Sequence, residues 1–194
     1  MSRIGWIFLA LVVLAAVVFG SMLSFGSSDQ PQSRSSIAAA IPDTDHGGLL
    51  QVPVAGVGRS AISGSWGDAR DGGDRPHHGT DIMAPGGTPV LAAAPGRVEK
   101  LFFSDAGGIT AYVRSPNGRW SYYYAHLAGY APGLAEGQVV RAGDRIGFVG
   151  DTGNAGAGNT HLHFGVSRMV PGDRWSDGEP IDPYPLLAGR AADR

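Results

Sequence analysis

The chain has 194 residues, a formal net charge of −2 and no cysteine. This length suits one domain with little to spare, and the lack of a basic field gives nucleic acid no surface to bind, so no nucleic-acid partner is expected. Without cysteine there is no disulfide framework, thiolate site or acylated anchor, so a metal site would need histidine and carboxylate side chains.

An apolar run near the amino terminus stands apart from the rest of the sequence. Residues 4–23 are long enough to cross a bilayer as a helix. Arg3 precedes the run and the next positive residue is Arg34, so the positive-inside rule places the amino terminus in the cytoplasm and the body outside. A cleaved signal peptide is the alternative, but no good small-residue cleavage site follows directly. We therefore expect an uncleaved signal anchor, a transmembrane helix over residues 1–25.

A polar segment follows over residues 26–48, rich in Ser, Gln, Ala, Pro and Asp. It holds too few large apolar side chains to offset the entropy of ordering the chain. We expect a flexible linker in which His46 is a solvated bystander. The folded domain is then predicted over residues 49–190.

The body of the sequence has the turn-rich composition of a β-protein. The chain holds 31 Gly and 13 Pro, and the body shows neither a sustained helical period nor a βαβ rhythm. An all-β domain with a mainly antiparallel sheet is therefore predicted. Three hairpins are expected, joining residues 89–94 with 97–103, 109–114 with 120–126 across an Asn-Gly turn, and 137–140 with 146–150.

Two histidines share a short predicted strand over residues 159–165. Because side chains alternate along a strand, His161 and His163 point to one face, while Leu162 and Phe164 point to the other face and into a core. Two imidazoles aimed at one place on a strand with an apolar back indicate binding or catalysis.

A second group of candidate ligands lies in a glycine-rich loop. His77 and Asp81 are four residues apart, which spans about 13 Å when extended, so both can hold one ion only if the chain bends at Gly79. With one histidine from His161 or His163, the set becomes two histidines and one aspartate. Three protein ligands that leave a fourth position open are typical of catalytic zinc.

The other histidines have simpler interpretations when each is taken alone. His78 is expected to be exposed because neighbouring side chains diverge, and His126 at the end of a strand would be structural. Asp81 could likewise be a turn former that bonds its own backbone. However, five of the six histidines fall in three segments at strand ends or glycine-rich loops, which favours convergence on one site.

Taken together, the motifs resemble the lysostaphin/LytM-type zinc metallopeptidases of the M23 family, which are peptidoglycan endopeptidases. The resemblance covers about residues 49–187. The matching segments are His77-x-Gly79-x-Asp81, Tyr124-Ala125-His126-Leu127 and His161-Leu162-His163-Phe164, with Gly-Thr-Pro-Val at 87–90 and a glycine-rich stretch at 143–150 between them.

The resemblance implies roles for five residues in a groove formed by loops. His77, Asp81 and His163 match the Zn²⁺ ligands, and His126 and His161 match the two catalytic histidines, which would act in proton transfer and oxyanion stabilisation. Residues 159–160 depart from the usual small Gly- or Pro-containing sequence, which affects the groove wall but removes no ligand. The glycine pairs at 72–73 and 107–108 are expected to wall a narrow groove.

The expected function is hydrolysis of peptide bonds in peptidoglycan stem or cross-link peptides. The expected location is the bacterial cell envelope, with the chain anchored in the cytoplasmic membrane and the catalytic domain in the periplasm or outside. A regulatory envelope protein is a further expected partner. The alternatives are a non-catalytic M23-like regulator, a related enzyme acting on protein, and a lipoyl-type carrier, which would need Lys100 at a hairpin tip.

Overall fold

The computed structural model describes residues 49–70 and 75–189 of the chain. The predicted transmembrane helix, the linker with His46 and the glycine pair at 72–73 all lie outside these residues. Within the described ranges, no helix is long and apolar enough to cross a membrane.

Short strands and tight turns make up most of the described part, as expected from its glycine content. The strands are β1 (Ala69–Arg70), β2 (Arg75–Pro76), β3 (Thr80–Met83), β4 (Pro89–Leu91), β5 (Gly96–Ser104), β6 (Gly108–Arg114), β7 (Trp120–Tyr130), β8 (Val139–Val140), β9 (Arg145–Val149), β10 (His161–Arg168) and β11 (Glu179–Ile181). The helical elements are α1 (Tyr184–Ala188) and two 3₁₀ turns, Arg59–Ala61 and Gly153–Ala155.

Nine of the described strands form one antiparallel sheet. Its main path runs β11-β10-β7-β6-β5-β8, and β9 joins β4 to β7. One edge of β10 pairs with β3 and then with β11, while its other edge pairs with β7. The prediction of a mainly antiparallel sheet is therefore confirmed, and β10 lies where three other strands meet it.

One of the three predicted hairpins is confirmed and two are wrong. The segments 109–114 and 120–126 pair as β6 and β7. The segment 89–94 does not pair with β5, because β4 pairs with β9, and the N–H of Ala92 donates to the carbonyl of Asp144. The segments 137–140 and 146–150 also separate, since β8 pairs with β5. Val90 is 0% exposed, and this burial favours its long-range pairing with β9 over a local hairpin with β5.

The two faces of β10 differ in the way the alternation predicts. Leu162 and Phe164 are both 0% exposed and join a core that includes Tyr122 and Tyr124 of β7. Each such side chain contributes about 1.5–3 kcal/mol of hydrophobic burial. The histidines of β10 lie on the opposite face, so the core holds the strand that carries them.

One buried hydrogen bond ties this core to the segment that the hairpin prediction misplaced. The N–H of Ala93 donates to the hydroxyl oxygen of Tyr124 over 2.9 Å. In Tyr124→Phe this buried N–H loses its acceptor, and we expect the free energy of unfolding to fall by about 1–3 kcal/mol. Urea denaturation of both proteins measures the change. An unchanged midpoint would mean that water or another group replaces the hydroxyl.

Candidate metal centre

Three side chains place one donor atom each around a common point. His77 Nε2 lies 3.1 Å from Asp81 Oδ1, and His163 Nδ1 lies 3.1 Å from the same oxygen. The two imidazole nitrogens are 2.9 Å apart. The structure thus brings together one aspartate and two histidines in the combination that the sequence indicated, and selects His163 as the member of the β10 pair nearer to Asp81.

The pairing of β3 with β10 creates this cluster. In its register Asp81 lies directly opposite His163, so the two side chains share a face. His77 reaches the same place because the chain bends at Gly79, immediately before β3. Gly79 is also needed for space, since a Cβ there would lie 2.5 Å from Cε1 of His163 and 2.9 Å from the carbonyl oxygen of Phe164.

Ser65 orients two members of the cluster. Its carbonyl oxygen lies 2.7 Å from His77 Nδ1, and since a carbonyl only accepts, Nδ1 carries the proton and Nε2 keeps its lone pair. The hydroxyl oxygen of Ser65 accepts the backbone N–H of Asp81 over 3.3 Å. His77 is therefore held in the tautomer that a metal ligand requires.

The electrostatics of the cluster favour an ionised Asp81 carboxylate beside the buried His163 imidazole. Burial opposes ionisation of Asp81, but hydrogen bonds with His163 and His77 outweigh it, and the pKa of Asp81 lies well below its ordinary value. Burial lowers the pKa of His163, although Asp81 opposes this effect. One carboxylate and two imidazoles are a donor set that suits zinc.

The spacing of the donor atoms also fits a metal ion. The three atoms lie within 4.8 Å of one another. Ligand atoms about 2.0–2.1 Å from a tetrahedral zinc ion would be roughly 3.3 Å apart. The observed 2.9–3.1 Å is slightly shorter, so a small outward movement of the side chains would admit the ion.

Two further histidines lie beside the cluster. His161 Nδ1 is 2.9 Å from the carbonyl oxygen of Asn159, and its Nε2 is 3.8 Å from Asp81 Oδ1. His126 Nδ1 is 2.8 Å from the carbonyl oxygen of Thr152. The rings of His126 and His161 have centroids 4.8 Å apart. Since each Nδ1 donates to a carbonyl, each Nε2 is left as a proton acceptor.

His126 adopts an unusual backbone conformation. Its φ is +60°, and it is the one non-glycine residue with positive φ in the described part of the chain. It lies in a bulge of β7, where the register with β6 shifts, and its N–H donates to the carbonyl of Gly107. A side chain in this region costs about 1–2 kcal/mol, so the surrounding packing and hydrogen bonds must hold His126 in this conformation.

Burial also sets the charge of His126. It lowers the pKa of the imidazole to about 4, an effect that the Thr152 carbonyl opposes and the neighbouring His161 reinforces. The side chain is therefore neutral near pH 7 and able to accept a proton.

The cluster opens into a cleft of about 290 Å³. Gly107 lies in its wall, as predicted, and a Cβ there would lie 2.2 Å from the Tyr123 hydroxyl oxygen. The lining consists of His77, Asp81, Ala106, Gly107, Tyr123, Ala125, His126, Asn154, Ala155, Asn159, His161 and His163. All five predicted site residues therefore face one cleft, while their roles as ligands or catalytic groups stay predictions.

One histidine near the site stays outside the cluster, and several residues around the cleft could not be predicted from the sequence. His78 is exposed, as predicted, and stacks on Trp66 with ring centroids 5.3 Å apart. Ser65, Thr152 and Asn154 had no sequence signal, because two of them act through backbone carbonyls that any residue carries. The glycine-rich character of residues 151–159 indicated only a loop.

Comparison with known proteins agrees with this geometry. The family model described as Peptidase family M23 matches residues 75–183. An L-Ala–D-Glu endopeptidase of Bacillus subtilis (strain 168) is 41% identical over 129 residues, which are 63% of this chain and 38% of that protein. The peptidoglycan DD-endopeptidase ShyC of Vibrio cholerae is 36% identical over 91 residues, 47% of this chain and 20% of that protein. The chain thus spans less than two-fifths of the length of either relative.

Solved structures share the fold. The catalytic domain of lysostaphin from Staphylococcus simulans matches with a TM-score of 0.54 at 29% identity, over 65% of this chain and 90% of that one. A zinc-containing peptidase from Vibrio cholerae matches with a TM-score of 0.52 at 27% identity, over 63% of this chain and 35% of that one. Since the matched segment contains the whole cluster from His77 to His163, the chain belongs to peptidase family M23.

Proposed function

We propose that the protein is a zinc-dependent endopeptidase that hydrolyses peptide bonds in the stem or cross-link peptides of peptidoglycan. The observation that carries this proposal is the convergence of His77, Asp81 and His163 within 2.9–3.1 Å of one another, beside two further histidines, in an open cleft. The names of the related endopeptidases from Bacillus subtilis and Vibrio cholerae support the substrate class.

His77 Nε2, Asp81 Oδ1 and His163 Nδ1 would hold the ion. Zinc, when bound, would supply a Lewis acid that polarises a peptide carbonyl and promotes ionisation of water near neutral pH. The donor set and its spacing fit this ion, and the related Vibrio cholerae structure is described as zinc-containing.

His126 and His161 would move the protons of the reaction. Each can accept a proton at Nε2 from the attacking water and return it to the leaving amine. The Asp81 carboxylate, 3.8 Å from Nε2 of His161, would stabilise the imidazolium formed there. Once protonated, either Nε2 can also donate a hydrogen bond to the oxyanion of the tetrahedral intermediate.

The proposed substrate and the apolar run at the amino terminus together motivate a proposal for where the enzyme is located. We propose that the chain is anchored in the cytoplasmic membrane by residues 1–25 and that residues 26–48 connect this anchor to the catalytic domain in the periplasm or outside. A regulatory envelope protein is a further proposed partner.

The rival functions have less support. A non-catalytic regulator would not need a complete donor set with two further histidines aligned beside it. A lipoyl-type carrier would need a free lysine at a hairpin tip, but Lys100 lies within β5 and its Nζ is 2.9 Å from Glu136 Oε1. A protein substrate instead of the wall remains an outcome of the digestion experiment.

Three alanine variants separate the proposed roles. We expect His163→Ala to lose bound zinc and activity together. We expect His161→Ala to keep zinc but lose about 10²- to 10⁴-fold in rate, because its proton transfer and its hydrogen bond to the oxyanion are removed while the three proposed ligands stay. His78→Ala should keep both, since His78 is exposed on Trp66. Zinc analysis and digestion of purified peptidoglycan measure the two quantities.

This experiment, with casein added as a second substrate, can contradict the proposal in three ways. Wild type and His163→Ala would release the same fragments if the metal cluster were not the active centre. A large loss of zinc in His78→Ala would mean that the wrong histidine of the adjacent pair was assigned. Cleavage of casein but not of peptidoglycan would favour the protein-directed alternative.

A backbone substitution tests the packing that positions His163. In Gly79→Ala the added methyl would contact the His163 ring at 2.5–2.7 Å, so we expect zinc affinity to fall about 10- to 100-fold as the ring is displaced. Gly129→Ala in β7 is the matched control, because its added methyl would meet no atom within 4 Å. Competition with a zinc chelator measures both variants. Equal zinc affinities would show that His163 does not depend on this contact.

A further inference from the structure

One wall of the cleft is built from two turns that interlock. The hydroxyl of Thr152 donates to the carbonyl of Leu127 and accepts the N–H of Ile109. The carbonyl of Thr152 holds His126. The turn between β9 and β10 is thereby joined to the turn between β5 and β6 and to the bulge of β7.

Glycines allow the two turns to touch. A Cβ on Gly153 would lie 2.3 Å from the backbone nitrogen of Gly108, and a Cβ on Gly108 would lie 2.2 Å from Thr152 Oγ1. Both glycines also have positive φ. Such close backbone packing, with its hydrogen bonds satisfied, makes this wall a rigid support for the side chains that it presents.

Asn154 is the side chain that this wall leaves uncommitted. Its backbone N–H donates to the carbonyl of Ala106 over 2.9 Å, so its position is fixed. Its exposed carboxamide lines the cleft and makes no hydrogen bond within the described part of the chain. In the same wall, the side-chain amide of Asn159 instead donates a hydrogen bond to the carbonyl of Ala155. The contrast separates an asparagine that builds the loop from one that is available to a ligand.

We propose that Asn154 is a substrate-positioning residue that binds the main chain of the peptide in the cleft. A carboxamide offers one acceptor and two donors, which complement the N–H and C=O of an extended peptide. The inference rests on the proposed function, and it adds a specificity element: recognition of main-chain amides rather than of side chains suits a substrate whose side chains are small or of unusual chirality.

The position of Asn154 relative to the proposed proton-transfer groups supports this role. Thr152, two residues earlier, holds His126 through its carbonyl, so one short segment carries both the support of the histidine and the free carboxamide. A peptide hydrogen-bonded to Asn154 would have a fixed position relative to His126, because the rigid wall connects the two residues. Such positioning lowers the entropy cost of bringing the scissile bond to the reacting groups.

Substitution of Asn154 should affect binding more than folding or metal content. Because φ is −91° and ψ is 16°, alanine can adopt the same backbone. We expect Asn154→Ala and Asn154→Asp to reduce kcat/KM about 10-fold, mainly through KM, with zinc content and thermal midpoint unchanged. The aspartate keeps the shape and an acceptor but loses both donors. Unchanged KM in both variants would overturn the proposal.

Substrate analogues identify the amide that Asn154 contacts. Synthetic stem peptides in which one amide N–H at a time is replaced by an ester oxygen are compared with the parent peptide. At one position, the ester should weaken binding to the wild-type protein about as much as the Asn154→Ala substitution weakens binding of the parent peptide. The effects of the ester and of the substitution should not add. Additive losses at every position would contradict a direct hydrogen bond from the substrate N–H to Asn154.

Binding to a hydrolysis-deficient background separates this inference from the proposed function. The full chain with His161→Ala is titrated with the same stem peptides by calorimetry, with and without Asn154→Ala. If binding weakens about 10-fold but wild type cleaves no peptide, Asn154 binds as proposed and the endopeptidase function is wrong. If wild type cleaves and Asn154→Ala binds and cleaves equally well, the function stands and the inference fails. An absence of both binding and cleavage would overturn both.

Discussion

The centre depends on the register of one strand pair. Asp81 of β3 lies opposite His163 of β10, and a slip of one residue would turn Leu162 into the cleft and both histidines into the core. Burial of Leu162 and Phe164 at 0% exposure opposes that slip by several kcal/mol. The hydrophobic core therefore determines more than stability: by fixing the register of β10 it sets the 3.1 Å approach of His163 to Asp81, on which the proposed chemistry rests.

A second constraint is that the backbone must come unusually close to the site. Gly79 passes over the His163 ring, and the Gly108–Gly153 contact joins the two turns behind His126. His126 itself takes a left-handed conformation without being glycine. Its hydrogen bonds to the carbonyls of Gly107 and Thr152 offset part of that strain. The glycines and the strained histidine are thus parts of one arrangement, in which close packing holds a catalytic candidate where free rotation would not keep it.

Part of this site could be predicted from local periodicity, whereas the part that depends on long-range strand pairing could not. Alternation along β10 was enough to place His161 and His163 on one face, because it depends on neighbouring residues alone. It could not say which of them lies nearer to Asp81, a matter of register with β3. The predicted hairpin over residues 89–103 failed for the same reason: Val90 is buried by β9, which follows it by more than fifty residues. The role of Ser65 could not be predicted from the sequence, since it orients His77 through a backbone carbonyl, a group that every residue has.

The way in which the histidines are held has an electrostatic consequence. His77, His126 and His161 each donate through Nδ1 to a backbone carbonyl, of Ser65, Thr152 and Asn159 respectively, instead of to a carboxylate. Each tautomer is therefore fixed without adding negative charge, and Asp81 is the one carboxylate in the lining of the cleft. A single negative charge compensates only half the charge of a divalent ion. In the proposed function, the remaining positive charge would favour the oxyanion of amide hydrolysis over the uncharged ground-state carbonyl. Additional carboxylates holding these histidines would have oriented them equally well but would have reduced that preference.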